Sequence, residues 1–178
     1  MGRFRLLALL AACAAAPVSA QMQKGMPPPA AGAASTALSH FAREAANGGM
    51  SEVELGRLAV ERSTNPAVKA FGQRMVDDHS KANVELQQIA SQAGIALPGQ
   101  VDAKEKQMYM KLAALSGAAF DHAYIDDMVK DHKADIALFE KASRASGDSP
   151  IKKFAGDKLP TLREHLQMAE EAQASLGK

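Results

Sequence analysis

The residues best able to do chemistry in this chain are acid–histidine pairs set in helical sequence. Met75-Val76-Asp77-Asp78-His79 recurs as Met128-Val129-Lys130-Asp131-His132, and Phe71 stands four residues before the first Met as Tyr124 stands before the second. Glu164-His165 is a third such dipeptide, and Glu52 lies upstream of all of them. Imidazole and carboxylate together can hold Zn²⁺, Cu²⁺ or iron. They can also satisfy one another as a buried polar layer that fixes helix register.

These residues must be positioned by helices. Ala, Leu, Lys, Glu and Met are common, aromatic residues make up 4% of the chain and Trp is absent, a balance that favours helix over sheet. Phe41, Ala45, Gly48, Glu52, Leu55 and Ala59 step by three and four and predict a first helix over 37–63. Asn47-Gly48-Gly49 is its weak point. Either Ser51-x-x-Glu54 restarts the helix as a capping box, or the glycines let another helix come close. Asn65-Pro66 predicts the start of a second helix carrying Val68, Phe71, Met75, His79, Ala82, Leu86 and Ile89, with Gly94 as its stop. Asp102-x-x-Glu105 should cap a short helix over 103–115 that Ser116-Gly117 breaks. A long helix to 145 then carries Ile125, Val129, His132, Ile136 and Phe139, and Gly147 ends it. Asp148-Ser149-Pro150 should open the last helix, which runs to 175 with Ile151, Ala155, Leu159, Leu162, Leu166 and Ala169 on its face and Pro160 inside it. Short links between long amphipathic helices predict an all-α, antiparallel four-helix bundle, and the repeated motif predicts approximate two-fold internal symmetry.

The blocks GGMSEVELGRLAVERSTNPAVKAFGQRMVDDH, LSGAAFDHAYIDDMVKDH and LPTLREHLQMA, in that order, resemble the bacterial exported "domain of unknown function 4142" family. The resemblance covers about residues 37–175. It implies a ferritin-like four-helix bundle and an exported location, and it carries no established activity. An outer-membrane association attached to such proteins is not matched by the alternating pattern of a membrane barrel.

Ferritin-like di-metal centres take a Glu from each of two helices and Glu-x-x-His from the other two. No Glu-x-x-His occurs at 52–55, 76–79, 129–132 or 162–165, so a ferroxidase-type centre is not expected. Residue 83 is Asn and residue 136 is Ile, which leaves neither repeated His a ligand one turn further along its own helix. This spacing favours histidines that each bond a separate acid or backbone carbonyl, in a non-enzymatic periplasmic or cell-envelope module, stress-related among the options. The cofactor is unknown from sequence. The alternative is a transition-metal or redox bundle with Glu52, Asp78, His79, Asp131, His132, Glu164 and His165 as candidate ligands. A third reading is a pocket for a small apolar ligand between helices. Histidine nitrogens converging to about 3–4 Å would favour the metal. Met108-x-Met110, the remaining pair of soft ligands, should diverge on a helix. No phosphate-binding glycine loop or nucleophile elbow is present.

The amino terminus bears on compartment. Arg3 and Arg5, the apolar run Leu6–Ala16 and the small residues ending at Ala20 predict a signal peptide over 1–20 with cleavage before Gln21. Leu10-Ala11-Ala12-Cys13 gives the alternative of a lipid-anchored envelope protein. Cys13 is the single cysteine, so cleavage at Ala20 leaves no disulfide and no thiolate ligand. Residues 21–36 read as a Pro/Gly/Ala-rich tether, and 37–176 as the bundle domain. The chain has 21 basic and 20 acidic residues, and losing Arg3 and Arg5 leaves it near neutral, so nucleic acid is not an expected partner. Envelope association or a homo-oligomer remains open, and no transmembrane segment is expected after residue 20.

Overall fold

A computed structural model describes residues 31–177, with side chains from residue 36. The expected signal peptide, Cys13 and residues 21–30 of the expected tether lie outside the described residues. Within them the protein is an all-α bundle of five helices without a strand: α1 (Ala31–Arg62), α2 (Pro66–Gln92), α3 (Ala103–Ala113), α4 (Gly117–Ser143) and α5 (Pro150–Leu176). None is long and apolar enough to cross a membrane.

The boundaries follow local chemistry. Asn65 caps α2 by accepting from the Ala67 and Val68 amides, and Pro66 fills the first turn, where no amide donor is needed. Gly94 leaves α2 at φ +68°, a conformation that a Cβ disfavours. Asp102 accepts from the Glu105 amide and Ser149 from the Ile151 amide, opening α3 and α5. One expectation is corrected and one open alternative is decided. α1 begins at Ala31 rather than 37, in an Ala-rich stretch of high helix propensity. It also runs unbroken through Asn47-Gly48-Gly49. Ser51 does not restart it, because its hydroxyl donates to Glu105 Oε2 of α3 at 2.8 Å. α5 likewise continues through Pro160.

Contacts between the long helices run in opposite senses. Glu52 meets His79 and Gly56 meets Gly72 between α1 and α2. Asp126 meets Gln173 and His132 meets His165 between α4 and α5. Arg74 meets Glu164 and Glu85 meets Lys158 between α2 and α5. α1 also packs on α4 through the edge-to-face pair Phe41–Phe139, with centroids 4.9 Å apart. The short α3 lies along α1, held by Asn47–Asp102 and Ser51–Glu105.

The core is divided in two. One apolar cluster gathers around Leu55, Phe71, Met75, Phe120, Tyr124 and Met128. The other gathers around Phe41, Leu86, Phe139, Phe154, Ile151 and Leu162. In every long helix the break between them falls at an ionisable residue: Glu52 in α1, His79 in α2, His132 in α4 and His165 in α5, each no more than 6% exposed.

Candidate metal centre

Each of the four residues at that break is delivered by a different helix. The α1–α2 approach depends on two glycines. A Cβ on Gly56 would lie 2.7 Å from the Gly72 carbonyl oxygen, and one on Gly72 would lie 2.9 Å from the Gly56 oxygen and 2.9 Å from Ala59 Cβ. With backbone against backbone one turn beyond Glu52, the carboxylate Oε2 comes to 2.8 Å from His79 Nδ1. Glu52 Oε1 is 3.5 Å from His132 Nε2. His132 Nε2 is in turn 3.3 Å from His165 Nδ1. One nitrogen from each of His79, His132 and His165 falls within 4.8 Å of the others.

The remaining nitrogens fix the ring orientations. His132 Nδ1 lies 3.0 Å from the Met128 carbonyl oxygen. A carbonyl only accepts, so Nδ1 carries the proton. His165 Nε2 lies 3.0 Å from Asp78 Oδ2. Partial burial pushes the Asp78 carboxyl up, but hydrogen bonds from His165 and Arg74 outweigh this and hold it below its ordinary value. Asp78 is therefore a carboxylate acceptor, and His165 Nε2 carries the proton. It follows that His132 Nε2 and His165 Nδ1, which face each other, both present lone pairs when the rings are neutral. Burial keeps them neutral by pushing both below the usual histidine value.

Desolvation dominates the rest of the site. Burial raises Glu52 to about 7, against an opposing pull from His132. Burial lowers His79 to about 4, and its Nε2 has no hydrogen-bond partner. Both Glu52 oxygens also lack an aligned donor, despite the short contact with His79. Buried polar atoms without partners are uncommon in folded proteins and mark places where something else can bind.

Of the seven candidate ligands, His79, His132 and His165 meet, and Glu52 joins them through His79 and His132. Asp78 stands behind them, orienting His165 from the adjacent helix rather than serving its own neighbour His79. Glu164 is on the surface with Arg74. Asp131 makes no hydrogen bond to a histidine among the described residues, but it lies within electrostatic reach of His79 as well as of Glu105 and Asp127. Burial, followed by the like charge of Glu105, raises Asp131, and burial followed by Asp131 raises Asp127 to about 6. The sequence motif is repeated, but the roles of its two aspartates are not. Sequence reasoning passed over Arg74, which grips Asp78, and the Met128 carbonyl, which orients His132. Arg74 at one turn before Asp78 was a legible signal; a backbone carbonyl leaves none. Met110 is 71% exposed while Met108 packs against the core, so that pair does diverge.

A cavity of about 160 Å³ reaches the centre from the side of α2 and α5. Glu52, His79 and His165 form part of its lining, whereas His132 is not among the lining residues.

No curated protein matches the chain. A crystal structure of a DUF305 protein from Streptomyces coelicolor, described as secreted, is similar in fold with a TM-score of 0.67. It is 14% identical, over 81% of this chain and 96% of that one. The family model for the domain of unknown function DUF4142 matches residues 23–172, so the chain belongs to that family.

Proposed function

We propose that this protein binds one divalent transition-metal ion through His79 of α2, His132 of α4, His165 of α5 and Glu52 of α1. The observation that carries this reading is the pair of lone pairs on His132 Nε2 and His165 Nδ1, 3.3 Å apart between two buried rings. Two neutral acceptors at that distance repel unless a cation lies between them. A proton could serve, but burial opposes a charged ring. A metal ion fits better, since ligands at roughly 2.0–2.1 Å in a tetrahedral arrangement sit about 3.3 Å apart. Imidazole with carboxylate suits Zn²⁺ and Cu²⁺ foremost, with Fe²⁺ as a further candidate.

The surroundings support the same reading. Asp78 on His165 and the Met128 carbonyl on His132 are the partners that metal-bound histidines ordinarily have behind them. A cation would also meet the unpartnered Glu52 oxygens and draw Glu52 back to its ionised form. The competing scaffold reading has support in the same contacts, because His165–Asp78 and His79–Glu52 each pair a histidine with an acid. It leaves the facing lone pairs unexplained.

We read the four long helices as a ferritin-like four-helix bundle, with α3 as an addition along α1. The centre differs from the di-metal type because each helix contributes a single ligand. The signal-like residues 1–20 support a site of action outside the cytoplasm.

Elemental analysis of residues 21–178, purified without a metal-affinity tag and then equilibrated with Zn²⁺ or Cu²⁺ and desalted, tests the reading. One ion per chain is expected for the wild type, and a strongly reduced content for His132→Ala. A wild type that retains no ion after exposure to either metal would remove the reading and leave the scaffold.

A further inference from the structure

We propose that the 160 Å³ cavity is a binding pocket that brings a small ligand, with an apolar body and one nitrogen or oxygen donor, onto the metal held by the histidines and Glu52. This rests on the metal reading. Three observations on the cavity itself lead to it.

The first is what the cavity touches. Two of the three histidines and Glu52 line its inner end, so an ion bound there has one side turned towards open space. The three histidines and Glu52 already supply four ligands, so an outside donor entering from this side would be a fifth, which a bound ion can take by expanding its coordination. His132, 0% exposed and absent from the lining, closes the opposite side.

The second is the wall. Six of the lining residues are apolar: Ala45, Ala82, Leu86, Phe139, Phe154 and Leu162. A volume near 150 Å³ with such a wall is about enough for one benzene-sized molecule. The wall accounts for the apolar body, and the metal for the single donor atom.

The third is that the space is left open by a small residue one turn from a ligand. Ala82 follows His79 by one turn on α2 and lines the cavity. A larger side chain there would enter the space in front of the ion. Gly49, almost one turn before Glu52 on α1, makes room for Asn83 instead, since a Cβ on it would lie 2.3 Å from Asn83 Oδ1. Asp78, Lys81, Asn83, Asp135, Lys158 and Thr161 supply the other polar groups of the lining. Lys158 is engaged with Glu85 and lies over the Phe154 ring at 5.4 Å, so it borders the cavity as part of its wall.

Pyridine is the test ligand, because it carries one nitrogen donor on an uncharged ring of the right size. Azide serves as a bare donor for comparison. The protein loaded with one Cu²⁺ per chain is titrated with each, and the electron paramagnetic resonance and d–d spectra are followed. Saturable spectral changes are expected with both. Ala82→Phe should keep one Cu²⁺ per chain and bind pyridine at least ten-fold more weakly. If a melting curve shows that variant to be unfolded, Thr161→Phe blocks the same space from α5. Copper that binds stoichiometrically but responds to neither probe would overturn the pocket and leave the metal site standing. So would a pyridine response unchanged in a folded, copper-loaded Ala82→Phe. No copper bound at all would overturn the metal reading, and this inference with it.

Discussion

Glu52 is the most exposed to test among the residues, because its two possible states have opposite consequences. Burial lifts it to about 7 from an ordinary 4.5. In the metal-free protein between those values, the folded state holds a proton that the unfolded state has released, so stability falls as pH rises. The contribution is fully present below pH 4.5 and is lost as pH passes 7. His79, lowered to about 4, acts oppositely: stability rises between about pH 4 and 6.5 and is flat above. Above pH 7 the cost of the ionised Glu52, as much as about 3 kcal/mol, adds to that of the partly buried carboxyls Asp127, Asp131 and Asp135, which burial also raises. Glu52→Gln keeps the shape and removes the charge. It should raise the metal-free melting temperature at pH 8 and do little at pH 4.5, while weakening metal retention. Thermal melts at the two pH values, with chelator present, check this; a Gln variant less stable at pH 8 would show that Glu52 is held by hydrogen bonds instead. The identities of these residues were legible from sequence, since a histidine or glutamate on an apolar stripe stands out. Their assembly was not. Ligand spacing was sought along single helices, at i+3 and i+4, whereas the structure takes one ligand from each of four helices. Glu164 was misplaced for a related reason: one residue from His165 is about 100° around a helix, which carries it from the interior to the surface.

At the scale of elements, caps and stripes were legible because they are local. Asn65, Asp102 and Ser149 act where their neighbours predict. The continuity of α1 through Gly48-Gly49 was not legible, because glycine's low helix propensity is outweighed by burial on either side, and only packing reveals that. The glycines also differ in function. Gly48 has no atom within 4 Å of a Cβ built on it, whereas Gly56 faces the Gly72 backbone. Gly48→Ala should therefore be neutral or stabilise by up to about 1 kcal/mol, through helix propensity alone. Gly56→Ala must push α1 from α2, costing about 1–3 kcal/mol as overpacking does. It should also loosen metal binding at least ten-fold by drawing Glu52 away from His79. Urea unfolding and metal titration of the two variants separate the effects. Equal behaviour of both would mean that the close approach does not set the site.

For the whole molecule, the division of the core into two apolar clusters makes the layer between them a point of both weakness and control. Four ionisable groups there interrupt what could have been continuous hydrophobic packing, and an interior charge without partners costs several kcal/mol. The metal reading turns that cost into a dependence on the ion. An ion that binds only the folded chain stabilises it by RT ln(1 + [M]/Kd), about 4 kcal/mol at a thousand-fold excess over Kd. For a domain near this size that corresponds to a rise of roughly 8–16 °C in melting temperature. Adding Zn²⁺ to metal-free protein should produce such a rise, and chelator should reverse it. His132→Ala should melt lower than the wild type in chelator, because truncation leaves the Met128 carbonyl and a cavity behind, and it should gain little from Zn²⁺. Hydrogen exchange adds the spatial test: protection should increase in α1, α2, α4 and α5 together, since the ion ties one residue from each. Zn²⁺ that left wild-type melting unchanged at any concentration, with His132→Ala still destabilised, would return the four residues to the role of a polar layer that sets register between two cores.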